Sequence, residues 1–206
     1  QLENTIVIYT SDHGCSLGHH GYWGKGNSTR PLNMYETSLR VPLLARGPGI
    51  ATGKVAEQCV DHYDSFQAIC GWAGVELADR SYPGRSYVPL AGGEAIAWDD
   101  TRYGEYGDLR MIRTPAHKYV VRYPHGPLDL FSLAEDPDET LNRAGWDEYR
   151  SVQSALDEQL QEWYSRYEES AYSGRAVKFQ RVHNRNEAWR DGRRERAGLQ
   201  VYEMGE

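Results

Sequence analysis

The chain has 206 residues, enough for one domain with a subdomain and a sizeable buried core. Its net charge is −7 and its mean hydropathy −0.73, and no run approaches the roughly 18 apolar residues of a transmembrane helix, so no membrane partner is expected. An odd count of 3 cysteines excludes a disulfide framework, and 15 tyrosines and 6 tryptophans must supply much of the apolar area.

Residues 5–10 (Thr-Ile-Val-Ile-Tyr-Thr) are β-branched and aromatic and predict a buried strand. Residues 11–14 are then its carboxyl end, where open α/β sheets place ligands. Asp12 and His13 stand side by side there and suit a divalent cation. Lys25, twelve residues past the histidine on a glycine-rich loop, suits an anion beside that cation. A plainer reading of Asp12-His13-Gly14 is a turn, with the aspartate capping and the glycine at positive φ. No leader-like segment is read at Gln1, which leaves the compartment open.

The loop over residues 14–33 is rich in Gly and His and has little periodicity; irregular loops of this length inside a domain are commonly functional. Residues 34–39 predict a short helix, with Glu36 and Arg40 spaced for an i,i+4 pair. Residues 41–45 predict a short strand ended by Pro48-Gly49. Asp61 is placed to cap a helix on which Phe66, Ile69, Cys70 and Ala73 form one inward apolar face, with the Cys70 thiol buried and Gly74 as the stop. Residues 78–89 read as a loop and 94–98 as a strand of the main sheet.

The pattern then changes. Residues 109–113 and 118–123 alternate apolar and polar across Thr114-Pro115-Ala116-His117, a hairpin pattern, and 128–133 add a third strand. Tyr149, Val152, Leu156, Leu160, Trp163 and Tyr167 step by three or four, the core face of a helix. Beyond Ser170 periodicity fades. Residues 174–196 hold eight basic and three acidic side chains, a net of +5, which leaves −12 for the rest. A basic tail of this kind is expected to lie on the acidic body of its own or a second copy, a route to a homo-oligomer; no nucleic-acid motif accompanies it, so nucleic acid is not the expected partner. The division expected is an α/β core over 1–100, a small antiparallel sheet plus helix over 101–170, and a basic extended tail over 171–206.

Several stretches, in order and spacing, resemble the second half of a type I sulfatase of the alkaline phosphatase superfamily. They are Asn4-Thr5-Ile6-Val7-Ile8-Tyr9-Thr10-Ser11-Asp12-His13-Gly14, Leu17-Gly18-His19-His20-Gly21-Tyr22-Trp23-Gly24-Lys25, Met34-Tyr35-Glu36, Arg40-Val41-Pro42-Leu43-Leu44 and Arg46-Gly47-Pro48-Gly49-Ile50. The similarity continues more weakly through Gly84-Arg85-Ser86, Met111-Ile112-Arg113-Thr114, Lys118-Tyr119 and Leu128-Asp129-Leu130-Phe131-Ser132-Leu133-Ala134-Glu135-Asp136-Pro137.

The resemblance implies an alkaline-phosphatase-like α/β fold, here its C-terminal part with a small antiparallel subdomain and a C-terminal helix. It implies a sulfate-ester substrate and a calcium ion (alternatively magnesium) beside a formylglycine made from Cys or Ser. Asp12 and His13 would be two of the metal ligands, Asp12 the stronger because hard cations favour carboxylate oxygen. Lys25 would contact the sulfate and offset charge as the ester bond breaks. His20 would contact substrate or brace the loop, His117 would face the pocket mouth from a hairpin tip, and His19 would sit on the rim.

Departures matter too. The family usually has an acidic residue where His19 stands, and commonly an acidic or bulky one where Cys15 stands. The nucleophile motif, Cys or Ser followed by x-Pro-x-Arg, and a paired-Asp metal site belong to the family's N-terminal half. An N-terminal sulfatase portion is therefore an expected partner, and this chain alone is expected to be inactive. Ser81-Tyr82-Pro83-Gly84-Arg85 fits the motif literally, but it follows the metal strand and is read as a loop ending in Gly-Arg-Ser. The alternatives are a phosphodiester or phosphonate monoester hydrolase of the same superfamily, or a non-catalytic relic or binding module.

Overall fold

The structure is a computed structural model that describes residues 1–77 and 82–179. In chain order the elements are β1 (Val7–Tyr9), a small hairpin of β2 (Ser16–Leu17) and β3 (Trp23–Gly24), α1 (Glu36–Leu39), β4 (Leu44–Arg46), α2 (His62–Trp72) and α3 (Val88–Ala91). There follow β5 (Arg102–Tyr106), β6 (Leu109–Arg113), β7 (His117–Arg122), β8 (Asp129–Ser132) and α4 (Arg150–Tyr167). The class is mixed α/β, with small antiparallel sheets and a C-terminal helix, as expected.

β1 pairs with β4 antiparallel, Ile8 opposite Ala45 and Tyr9 opposite Leu44. The strand is where the sequence puts it but is not buried within this chain. Tyr9 is 64% exposed and Leu44 60%, and β4 is the one strand that pairs with β1 among the described residues. Asp61 caps α2 as expected, in a capping box closed by Asp64. The helix face is a correction. Asp64 and Ala68 are the buried positions, while Phe66, Ile69 and Ala73 face outward and the Cys70 thiol is only half-buried. Ala68 packs with Tyr87 and Leu90, and Trp72, Ile96 and Trp98 flank them. Residues 94–98 are a second correction: they form no ladder, and Trp98 instead donates its indole N–H to the Cys59 carbonyl at 2.8 Å.

The second half is more regular. β5, β6, β7 and β8 form one antiparallel sheet in sequence order; β5 is the strand not expected from the sequence. Alternation sends Ile112, Tyr119 and Leu130 to one face, where they pack on Leu156, Leu160 and Tyr164 of α4. Leu160 is fully buried, a burial worth about 1.5–3 kcal/mol for such a side chain. The opposite face carries Leu109, Met111 and Val120 against Leu32 and Met34, so the loop of the first half lies on the sheet of the second. The polar positions are buried as well. Arg110 lies over the Tyr164 ring and pairs with Glu105 and Glu168, while Arg122 pairs with Asp129 at 2.6 Å and donates to the Leu32 carbonyl.

The start of the expected tail is not extended: Ser170–Tyr172 and Gly174–Phe179 are short 3-10 turns, and Ser173 bonds to Glu168 and Arg110. Ser81 and residues 180–206 of the tail lie outside the described residues. No helix among the described residues is long and apolar enough to cross a membrane.

Candidate functional site

The turn after β1 is held from both sides. His62, in the first turn of α2, has Nε2 3.0 Å from the Ser11 carbonyl. Ser11 Oγ donates to the His13 carbonyl at 2.9 Å, and the His13 amide donates to Asp12 Oδ1 at 3.0 Å. His13 Nδ1 stands 2.8 Å from the Gly14 carbonyl. A carbonyl only accepts, so Nδ1 carries the proton and Nε2 presents its lone pair. Lys25 Nζ lies 2.9 Å from that Nε2, and Asp12 Oδ2 is 3.7 Å from it. Carboxylate, imidazole lone pair and ammonium thus converge at one strand end, on an exposed surface.

Desolvation would raise the Asp12 carboxyl, but the adjoining His13 and the hydrogen bonds of the turn outweigh it and hold the group below its ordinary range. Asp12 therefore offers an anionic oxygen. Gly14 is needed for a reason other than positive φ, which it does not adopt. Its amide donates to the Ser38 carbonyl at 2.9 Å, and a Cβ there would stand 2.3 Å from the Thr37 carbonyl oxygen. The turn after β1 is thus jammed against α1.

The glycine-rich loop has an internal order. Pairing of β2 with β3 sets Ser16 opposite Gly24 and returns the chain so that Lys25 reaches His13. Ser16 is fully buried, with Oγ 2.6 Å from Thr37 Oγ1 and 3.1 Å from the Tyr22 hydroxyl. Asn33, also buried, is the hub. Its Oδ1 accepts from the Tyr22 hydroxyl, and its Nδ2 donates to the Thr29 hydroxyl at 2.7 Å and to the Gly26 carbonyl. His20 takes φ 53° and stacks on Tyr35, ring centroids 3.9 Å apart and planes 13° from parallel. Burial against that ring, with His19 beside it, lowers the His20 pKa despite Asp136 and Asp138.

The Sulfatase family model matches residues 1–75. The choline-sulfatase of Rhizobium meliloti (strain 1021) is 31% identical over 169 residues, covering 75% of this chain and 32% of that protein. An enzyme solved in complex with its substrate D-glucosamine-2-N,6-O-disulfate superposes with a TM-score of 0.69 at 30% identity, over 81% of this chain and 35% of its own. This chain belongs to the sulfatase family. The phosphonate monoester hydrolase of Agrobacterium radiobacter is also similar, with a TM-score of 0.67 at 27% identity, over 78% of this chain and 35% of its own. The chain thus spans about a third of the length of these relatives, and its fold is a C-terminal part of the alkaline-phosphatase-like fold.

Within this sulfatase segment, other expected residues are placed differently. His117 opens β7, and its ring meets Tyr149 edge-on at 6.4 Å. Strand alternation gives it the face opposite Lys118, the α4 side, so it is not brought to the Asp12–Lys25 group. Glu36 does not pair with Arg40. Its carboxylate lies 2.6 Å from the buried Lys118 ammonium and 3.7 Å from Arg113, cations supplied from the sheet. Arg85, the arginine of the near-miss tract, donates to the Ala97 carbonyl at 2.6 Å and lies over the Trp98 ring, while Gly84 at φ +90° presses on the Tyr63 backbone. Gly84 and Arg85 thus pack on α2.

Asp12 and His13 fit a divalent cation only in part. They supply a carboxylate and an imidazole lone pair, the latter engaged by the Lys25 ammonium, but no group of three His, Cys, Asp or Glu side chains that could hold a metal forms among the described residues. Sequence reasoning missed His62 and Asn33. For Asn33 a cue exists, an amide between Leu32 and Met34, where only internal partners can satisfy it. For His62 there is none, because its acceptor lies 51 residues away.

Proposed function

We propose that this chain is the part of a sulfuric ester hydrolase that supplies two metal ligands and a sulfate-binding lysine. The observation that carries the reading is the convergence of Asp12, His13 Nε2 and Lys25 Nζ at the end of β1. The Lys25 ammonium occupies the lone pair that a cation would take. Asp12 and His13 would hold a calcium ion (or magnesium), whose charge would polarise the sulfate oxygens, and Lys25 would then turn to the anion. Lys25 would bind one sulfate oxygen and offset the negative charge that grows as the ester bond breaks. His20, stacked and with a lowered pKa, would offer a hydrogen bond at the substrate's rim. A role for His117 at the pocket mouth would need a substrate long enough to pass the edge of the sheet.

The nucleophile, a formylglycine, and the remaining ligands would come from an N-terminal sulfatase portion. The exposed apolar faces of β1, β4 and α2 support that partner, since the rest of an α/β core would cover them. On this reading residues 1–100 complete the core, 101–170 form the subdomain, and the tail over 171–206 is an oligomer contact. The likeness to a phosphonate monoester hydrolase supports phosphonate monoesters or phosphodiesters as the alternative substrates.

The test is reconstitution. The chain alone is expected to be silent towards aryl sulfates and to bind calcium weakly, because two ligands leave a hard cation mostly hydrated. Supplying an N-terminal portion with an oxidised Cys or Ser is expected to restore both. In that complete enzyme Asp12→Ala should abolish calcium binding by calorimetry, and His13→Asn should keep part of it. Robust turnover by the chain alone that Ser81→Ala abolishes would overturn this and make the near-miss tract the nucleophile.

A further inference from the structure

We infer that Lys118, with Glu36, Glu139 and Phe131, is a positioning device through which the small sheet sets the geometry of the candidate site loop, His20 above all. The inference rests on the functional reading of that loop given above. Lys118 is fully buried on β7, and its three ammonium donors are all spent: Glu36 Oε1 at 2.6 Å, Glu139 Oε1 at 2.7 Å and the Met34 carbonyl at 3.0 Å. Glu139 closes the circuit, because its Oε2 accepts from the Glu36 amide at 2.6 Å, the first amide of α1. It does so from φ 55°, a conformation a glutamate adopts only where its surroundings impose it. The cluster therefore fixes where α1 begins. α1 in turn fixes Gly14, which donates to Ser38 and abuts Thr37, one residue from His13.

A second route runs beside the first. Phe131 of β8 meets Tyr35 at 5.9 Å, and Tyr35 stacks on His20 at 3.9 Å. Tyr35 is the residue just before α1, so one displacement of the helix start would disturb both routes. Burial alone does not require the ions, since Leu109, Met111 and Val120 already seal Met34 on the same face. A buried ion cluster is a weak source of stability, and its best-attested use is to specify register.

The experiment uses the chain itself and measures amide exchange together with the ring-proton shifts of His20, which report the Tyr35 stack. In Lys118→Met, protection of the Glu36 and Ser38 amides should fall about tenfold to a hundredfold, as for loss of a hydrogen bond to a charged group. The His20 ring protons should lose their upfield shift, while the β6–β7 ladder amides keep their protection. Glu139→Gln should repeat the change at Glu36 to a smaller extent, and Tyr35→Leu should move His20 alone. An unmoved His20 with unchanged protection in both charge variants would overturn the inference. So would a uniform loss across sheet and loop, or failure of both variants to fold, each of which would assign the cluster to stability alone. None of these readouts needs metal or sulfate ester. Absent turnover in a reconstituted enzyme would therefore sink the functional reading and leave the positioning result standing.

Discussion

The two halves of the chain use similar apolar side chains to opposite ends. In the second half, Ile112, Leu130 and Leu160 are sealed between the sheet and α4. In the first, β1 and β4 pair with each other and leave Val7, Tyr9 and Leu44 open, and α2 turns Phe66 and Ile69 (53% exposed) away from the body. A sheet face is complete only when a second layer covers it. The small sheet finds that layer within the chain, 18 residues of α4 on one face and the loop around Met34 on the other. β1 does not.

That contrast can be broken experimentally. The largest effect belongs to the chemistry of the first half. In a complete enzyme Lys25→Ala should cost on the order of 10²–10³ in kcat, as removal of a charge-stabilising contact does. Its melting should stay within about ±0.5 kcal/mol of the parent, since the side chain is exposed. Near-normal turnover in a folded variant would remove the sulfate role from Lys25.

Packing comes next. Leu160→Ala, in the sealed half, should lose about 2–5 kcal/mol in denaturant unfolding followed by near-UV circular dichroism. Ile69→Ala, on the open face of α2, should change the isolated chain by no more than about 0.5 kcal/mol. It should cost clearly more once the remainder of the fold is supplied. Equal losses at the two positions in the isolated chain would erase the distinction between the halves.

The pH dependence is smaller and has a defined sign. At Glu36 burial pushes the carboxyl up, but Lys118 and Arg113 outweigh it and hold the group below the ordinary 4.5. A depressed acid contributes stability that is present above its unfolded value and lost as pH falls through its folded one. The neighbouring Glu139 is raised, by burial, and its contribution runs the other way, fading as pH rises through its folded value. Wild-type melting should therefore fall on acidification below about pH 4.5, and Glu36→Gln should flatten that limb. A parallel acid limb in the variant would place the acid sensitivity elsewhere. Smallest is the effect of the tail. Removing residues 180–206 should alter oligomeric size in light scattering and leave the melting of the small sheet unchanged. If size is unchanged, the tail is not an oligomer contact.

The sequence by itself determined what local chemistry controls. The Asp61 cap and the α4 face were legible because both follow from neighbours within a turn or two. The β6–β7 hairpin was legible from its alternation. So was the candidate site's first layer: Asp12, His13 and Lys25 sit on a strand end and the hairpin that folds back on it, and the structure brings the three together. The tertiary structure alone decided what depends on distant partners. It turned Glu36 from Arg40 to Lys118, sent His117 to the α4 face, added β5, and chose which side of α2 faces inward. The Lys118–Glu139–Glu36 circuit joins residues as far as 103 positions apart. A charged side chain states in sequence that it needs a partner; only the packed chain, by excluding water from one side of it, selects which partner that is.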